Sequence, residues 1–213
     1  MSRRSWLAHC SALALAGAAP GLHAQARPLR ILVVGDSLSA EYGLARGSGW
    51  VALLDRKLQG EGVNAKVVNA SISGDTTSGG RARLPPLLIT HQPTHVIIEL
   101  GANDALRGLP LEATRRNLTD MVTAAKGAGA KVLLVGMRMP PNYGRKYGED
   151  FIGVYQAVAR QQNVPLVPFL LQGVADAPNA DRLFQADQIH PIAAAHPTMM
   201  NNVWTTLRPM LRS

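Results

Sequence analysis

Leu29-Arg30-Ile31-Leu32-Val33-Val34-Gly35-Asp36-Ser37-Leu38-Ser39 is an apolar run of strand length that ends in a Gly-Asp-Ser turn. Apolar residues at successive positions, rather than alternate ones, mark a strand buried on both faces. Comparable runs rich in Val, Ile or Leu recur at 65–70, 95–100, 131–136 and 164–169. Between them lie amphipathic segments of helical length at 49–58, 81–91, 111–127 and 151–161, with a last one at 193–210. Strand alternating with helix predicts a parallel sheet covered by helices on both sides and joined by right-handed crossovers. Gly60 and Gly62 are placed to stop the first helix, and Gly127 and Gly129 the third. Pro85-Pro86 is expected to break or start the 81–91 helix, because proline removes a helical donor. The longest irregular stretches are expected at 137–148 and 172–189.

In an open α/β sheet, ligands bind beyond the carboxyl ends of the strands. Ser37, Gly74 and Asn103 each stand just past such an end, so three separate positions point to one crevice. A serine hydroxyl is a weak nucleophile at neutral pH and needs a base within hydrogen-bond reach. His190 is the candidate base, and Asp187, three residues earlier in Asp187-Gln188-Ile189-His190-Pro191, is the candidate carboxylate that orients it. The tetrahedral intermediate needs donors aimed at its oxyanion. The candidates are the backbone N–H of Ser37, the backbone N–H of Gly74 and the side-chain amide of Asn103. Asp36, Asp75 and Asp104 are expected to shape their loops by accepting backbone N–H groups. His91, His95 and His196 have no comparable setting and read as structural or solvent-facing. With no His or carboxylate cluster at ligand spacing, no metal site is expected.

The first 26 residues read as an export signal: Arg3 and Arg4, an apolar segment at 7–19 too short to span a bilayer, and the small-x-small site Ala24-Gln25-Ala26. Ser2-Arg3-Arg4-Ser5-Trp6-Leu7 also resembles a twin-arginine signal, which leaves the export route open. Cleavage after Ala26 gives a single domain at 27–213 and a periplasmic or secreted product. Cys10, the only cysteine, leaves with the signal, which excludes disulfides, thiolate catalysis and Cys-ligated metal. Without Arg3 and Arg4 the net charge falls from +8 to +6, spread over scattered basic residues. That charge reads as a solubilising surface, with long-range steering of anionic substrates or lipid surfaces as the alternative, and no nucleic-acid motif accompanies it. No apolar run reaches membrane-span length, so stable membrane insertion is not expected.

Gly35-Asp36-Ser37-Leu38, Gly74, Gly101-Ala102-Asn103-Asp104 and Asp187-x-x-His190-Pro191, in this order, resemble the four sequence blocks of the SGNH, or GDSL, hydrolases. Asn69-Ala70-Ser71-Ile72-Ser73-Gly74-Asp75-Thr76, Ala82-Arg83-Leu84-Pro85, Pro141-Asn142-Tyr143-Gly144 and Pro165-Leu166-Val167-Pro168-Phe169 are similar to the bacterial thioesterase I/protease I/lysophospholipase and arylesterase group within it. The resemblance implies a three-layer α/β/α, flavodoxin-like fold. It also implies hydrolysis of acyl esters, with thioesters and lysophospholipids as further substrates, and no cofactor. Three positions depart from the family pattern: Ala102, Glu41 and Gln188 each stand where glycine is usual. Substrate preference is expected to be set by the loops at 105–110 and 137–147, with Met139 as the candidate substrate-binding residue, since a flexible thioether suits an acyl groove. A carbohydrate acetyl esterase of the same family and a non-catalytic lipid-binding protein on the same fold are the alternative readings.

Overall fold

The computed structural model describes residues 28–212, so the signal expected at 1–26 lies outside the described residues. Five strands form one parallel sheet: β1 (Leu29–Gly35), β2 (Ala65–Asn69), β3 (His95–Glu99), β4 (Lys131–Val135) and β5 (Leu166–Val167). Their order is β2-β1-β3-β4-β5, the flavodoxin-like order, whose switch point lies between β1 and β3. The helices are α1 (Trp50–Gly60), α2 (Thr77–His91), α3 (Ala102–Leu106), α4 (Leu111–Gly127), α5 (Arg145–Gln162) and α6 (His196–Met210). α1 packs with α6 in one outer layer, while α4 packs against both α2 and α5 in the other, which completes the expected α/β/α layers. Among the described residues no helix is long and apolar enough to cross a membrane.

Burial explains the strands. Ile31 to Val34, Val96 to Ile98 and Leu133 to Val135 are sealed from solvent on both faces of the sheet. The two edges depart from the sequence reading. β2 is half-exposed along its length because it pairs with β1 alone. β5 shrinks to two residues, since Pro165 and Pro168 flank it and neither has an N–H for the ladder.

Two helices also differ from expectation. α2 runs unbroken through Pro85-Pro86, starting at a cap where the Thr76 hydroxyl accepts the Gly79 N–H. Both prolines lie on its exposed side, as do Arg81 and Ala82, whose carbonyls lose their helical donors there and can turn to water. The stripe Thr77, Gly80, Leu84 and Leu88 meanwhile holds the buried side in place. α5 begins six residues before Phe151. Its first turns carry the ion pairs Arg145–Glu149 (3.7 Å) and Lys146–Asp150 (2.8 Å) rather than apolar periodicity, so nothing in the pattern marked them.

His196 joins the two helices of one layer. It is buried at the start of α6, and its Nδ1 accepts the N–H of Trp50, the first residue of α1, at 3.0 Å. Burial lowers its pKa, which keeps the ring neutral and able to accept.

Candidate active site

β1 delivers the chain into a turn that folds back on itself. The Asp36 carbonyl accepts the N–H groups of Ser39 (3.2 Å) and Ala40 (2.9 Å), and Asp36 Oδ1 accepts that of Leu38 (3.0 Å). Ser37 is left facing the crevice at the top of the sheet. Asp75 and Asp104 behave as expected of loop-shaping carboxylates, accepting the N–H groups of Thr76 (3.0 Å) and Thr77 (2.8 Å). Arg83, from α2, joins the ends of β1 and β2 to the loop before α2: it donates to the Gly35 carbonyl at 3.2 Å, to the Ala70 carbonyl and to Asp75 Oδ2 at 2.7 Å.

Ser37, His190 and Asp187 meet although residues 37 and 190 lie far apart in the chain. His190 Nε2 is 2.9 Å from Ser37 Oγ, and His190 Nδ1 is 2.7 Å from Asp187 Oδ2. Asp187 Oδ1 accepts the backbone N–H groups of Ile189 (2.9 Å) and His190 (3.0 Å). Those bonds, the His190 N–H first, hold the Asp187 carboxyl down at about 2. An ionised carboxylate only accepts, so Nδ1 must carry the imidazole proton and Nε2 presents its lone pair to the serine hydroxyl.

Of the three candidate oxyanion donors, Ser37 and Asn103 line the crevice, whereas Gly74 is not among the residues that line it. Among the described residues the backbone N–H groups of Ser37 and Gly74 donate to nothing. Gly74 sits at φ +76°, where an L side chain is strained, although a side chain there would meet only Arg107. The Arg107 guanidinium donates to the Gly74 carbonyl at 2.8 Å. Asn103 lies in α3, a helix of five residues too short to show a periodic pattern in the sequence, which is capped by Gly101 at φ +121°. Ala102, the first residue of α3, takes ordinary helical angles, so its departure from glycine costs nothing there. Asn103 Nδ2 donates to Asp36 Oδ2 (3.0 Å) and to the Asp75 carbonyl (3.0 Å). Asp36 is itself buried, and burial above all raises its pKa to about 6.

The crevice beside the serine has a volume of about 610 Å³. Leu38, Met137, Met139, Phe169, Leu171 and Phe184 give it an apolar floor. Met139 therefore both lines the crevice and packs against the core. Of the loop expected at 105–110, only Leu106 reaches the crevice.

Two residues that the sequence does not point to pack around His190 and its loop. The Tyr42 ring stacks on the His190 imidazole with centroids 4.3 Å apart. Gln185 Nε2 donates to the carbonyls of Tyr42 (2.9 Å) and Pro191 (3.2 Å), tying the loop of Ser37 to the loop of His190. Nothing in the sequence pairs residues 42 and 185. His95 is structural as expected, its Nδ1 2.9 Å from Thr94 Oγ1 and its Nε2 3.2 Å from the Met210 carbonyl.

The family model described as GDSL-like Lipase/Acylhydrolase matches residues 33–197. The chain is 51% identical to Esterase TesA of Pseudomonas aeruginosa, over 96% of this chain and 98% of that protein. It is 42% identical to the Thioesterase 1/protease 1/lysophospholipase L1 of Escherichia coli K12, over 85% of this chain and 84% of that one. The crystal structure of the psychrotrophic esterase EstA from Pseudoalteromonas sp., inhibited by monoethylphosphonate, superposes with a TM-score of 0.80 at 38% identity, covering 86% of this chain and 99% of that one.

Proposed function

This chain belongs to the GDSL-like lipase/acylhydrolase family and is a carboxylic ester hydrolase, and on that premise we propose that it cleaves acyl esters through a Ser37–His190–Asp187 triad and an acyl-enzyme. The observation that carries the proposal is the unbroken chain from Ser37 Oγ to His190 Nε2 (2.9 Å) and from His190 Nδ1 to Asp187 Oδ2 (2.7 Å) at the mouth of an apolar crevice.

As Ser37 attacks the carbonyl carbon, His190 Nε2 takes the hydroxyl proton, and the ionised Asp187 stabilises the imidazolium. The free N–H groups of Ser37 and Gly74 receive the oxyanion. The Asn103 amide joins them by sharing a hydrogen already held by the Asp75 carbonyl or Asp36. Imidazolium then protonates the leaving oxygen or sulfur, the acyl group stays on Ser37, and a water activated by the same imidazole releases it.

An apolar floor of Met137, Met139, Phe169, Leu171 and Phe184 favours an acyl chain over a hydrated sugar, so alkyl and aryl esters are placed ahead of acetylated carbohydrates. Acyl thioesters and lysophospholipids are further substrates, in line with the printed name of the Escherichia coli relative. The apolar segment at 7–19 and the Ala24-Gln25-Ala26 site support export to the periplasm or beyond.

A fluorophosphonate probe tests the assignment and sets it against the lipid-binding reading, since only an activated serine reacts. Stoichiometric labelling on Ser37, lost in a folded Ser37→Ala variant together with p-nitrophenyl ester turnover, is the expected result. Normal turnover by Ser37→Ala would overturn it.

A further inference from the structure

Glu99 is a carboxyl with no exposure at the end of β3, directly opposite Gly35 in the β1 pairing. Its place was marked in the sequence only as the single charged side chain in an otherwise apolar strand end, Val96-Ile97-Ile98-Glu99-Leu100. Buried charge is costly without a partner. The donors to Glu99 are neutral, since Oε2 accepts the Ser39 hydroxyl at 2.7 Å and the Asp36 N–H at 3.4 Å, and the Asp36 carboxyl beside it is of like charge rather than a counter-ion. Oε1 has no partner among the described residues. Trp50 Nε1 donates to the same Ser39 hydroxyl at 3.2 Å, so the contact extends from β3 to α1. A side chain at Gly35 would lie 2.8 Å from Glu99 Oε2 and 2.6 Å from Ser39 Oγ, so the carboxyl fills the space beneath the turn. Burial first, then the Asp36 charge, pushes the Glu99 pKa well up and favours its neutral acid. Such a cost is difficult to account for as stability alone, because an apolar side chain of similar volume would fill the same space without it.

We propose that Glu99 is a positioning residue, gripping the underside of the Asp36–Ser39 turn so that the Ser37 N–H and, through Asp36, the Asn103 amide point at the oxyanion. The proposal rests on the triad and donor assignment above. Those donors act on the tetrahedral state and not on bound substrate, so losing the grip lowers kcat and leaves KM nearly unchanged.

Glu99→Leu, Glu99→Gln and Ser39→Ala are compared for kcat and KM on p-nitrophenyl butyrate, with circular dichroism and Tm as the folding control. A loosened turn displaces the donors, and Glu99→Leu should lose kcat on the order of 10²-fold with KM little changed. Glu99→Gln keeps an acceptor for Ser39 and should recover most of that loss. Ser39→Ala removes the other half of the contact with a small residue and should show the same kcat-selective loss, which keeps the test decisive if Glu99→Leu does not fold. Wild-type kcat in a folded Glu99→Leu or Ser39→Ala variant would overturn the proposal. So would a Glu99→Gln variant as slow as Glu99→Leu, or a KM that rises in step with the loss of kcat. Ser37→Ala separates the two assignments. An active Ser37→Ala enzyme refutes the triad itself, whereas an inert one beside a fully active Glu99→Leu refutes Glu99 alone.

Discussion

Glu41→Gly is a substitution whose sign the geometry decides. Glu41 stands at φ +61°, a conformation that is strained for any residue with a Cβ, and glycine is usual there in the family pattern. Relief of the left-handed strain is worth about 1–2 kcal/mol. Against it stand the bonds that the carboxylate makes. Oε1 and Oε2 share the Gly47 N–H at 3.0 and 2.9 Å, and Oε1 accepts the Gly49 N–H at 2.7 Å. Gly49 is buried and caps α1, so its N–H has little water to turn to. Two hydrogen bonds to a charged acceptor contribute roughly 1.5–3 kcal/mol each, partly replaced by water at half-buried Gly47. Glycine adds a further cost of about 0.4–1 kcal/mol by freeing the unfolded chain.

The net is a loss of about 2–3 kcal/mol, which at a slope of 2–3 kcal/mol/M lowers the urea midpoint by about 1 M. Equilibrium urea unfolding followed by circular dichroism reads it directly. Gln188→Gly is the matched control. Gln188 has φ +58°, but its backbone N–H bond to the Gln185 carbonyl survives in glycine and its side chain makes only a 3.4 Å contact. Strain relief and chain entropy then nearly offset, with a change within about 1 kcal/mol on the stabilising side. A midpoint for Glu41→Gly equal to or above wild type would refute the reasoning.

Asn103→Ala should lower kcat about 10²–10³-fold with little change in KM; a loss under tenfold would mean that the amide held by Asp36 and Asp75 does not reach the oxyanion. Met139→Ala should shift the chain-length preference across p-nitrophenyl acetate, butyrate, octanoate and palmitate, and an unchanged profile would leave Met139 as packing only. Asp36 gives a pH-dependent prediction. Its folded pKa is raised to about 6, so its contribution to stability is complete below its unfolded value and is lost as pH rises through 6. The Tm of Asp36→Asn relative to wild type should therefore climb between pH 4.5 and pH 8, whatever constant offset the lost hydrogen bond imposes, and a flat or falling difference contradicts the assignment.

The layers were legible, and so were Ser37, Asp187 and His190 as side chains to look for together, because each rests on a local pattern. β1, β3 and β4 announced themselves as unbroken apolar runs, and Ser37, Gly74 and Asn103 as the residues that follow strand ends. What stayed hidden depends on partners distant in sequence. Gln185 matters through two carbonyls 143 and 6 residues away, and no side-chain pattern records a carbonyl's position. Tyr42 reads as an exposed aromatic until the imidazole lies against it. Pro85-Pro86 misled because helix breaking was judged from donors alone, whereas α2 is held by its buried stripe and leaves its orphaned carbonyls on the wet side. The first turns of α5 carry charge pairs that look the same in a loop.

The serine arrives with the first strand of the domain and its base only at residue 190, in an irregular loop followed at once by α6. α6 in turn is joined to the start of α1 through His196 and Trp50. A chain made from its N-terminus therefore carries a finished but unassisted hydroxyl through almost all of its synthesis. On the proposed mechanism, Ser37 would gain its base only once the segment that carries His190 has folded onto the sheet.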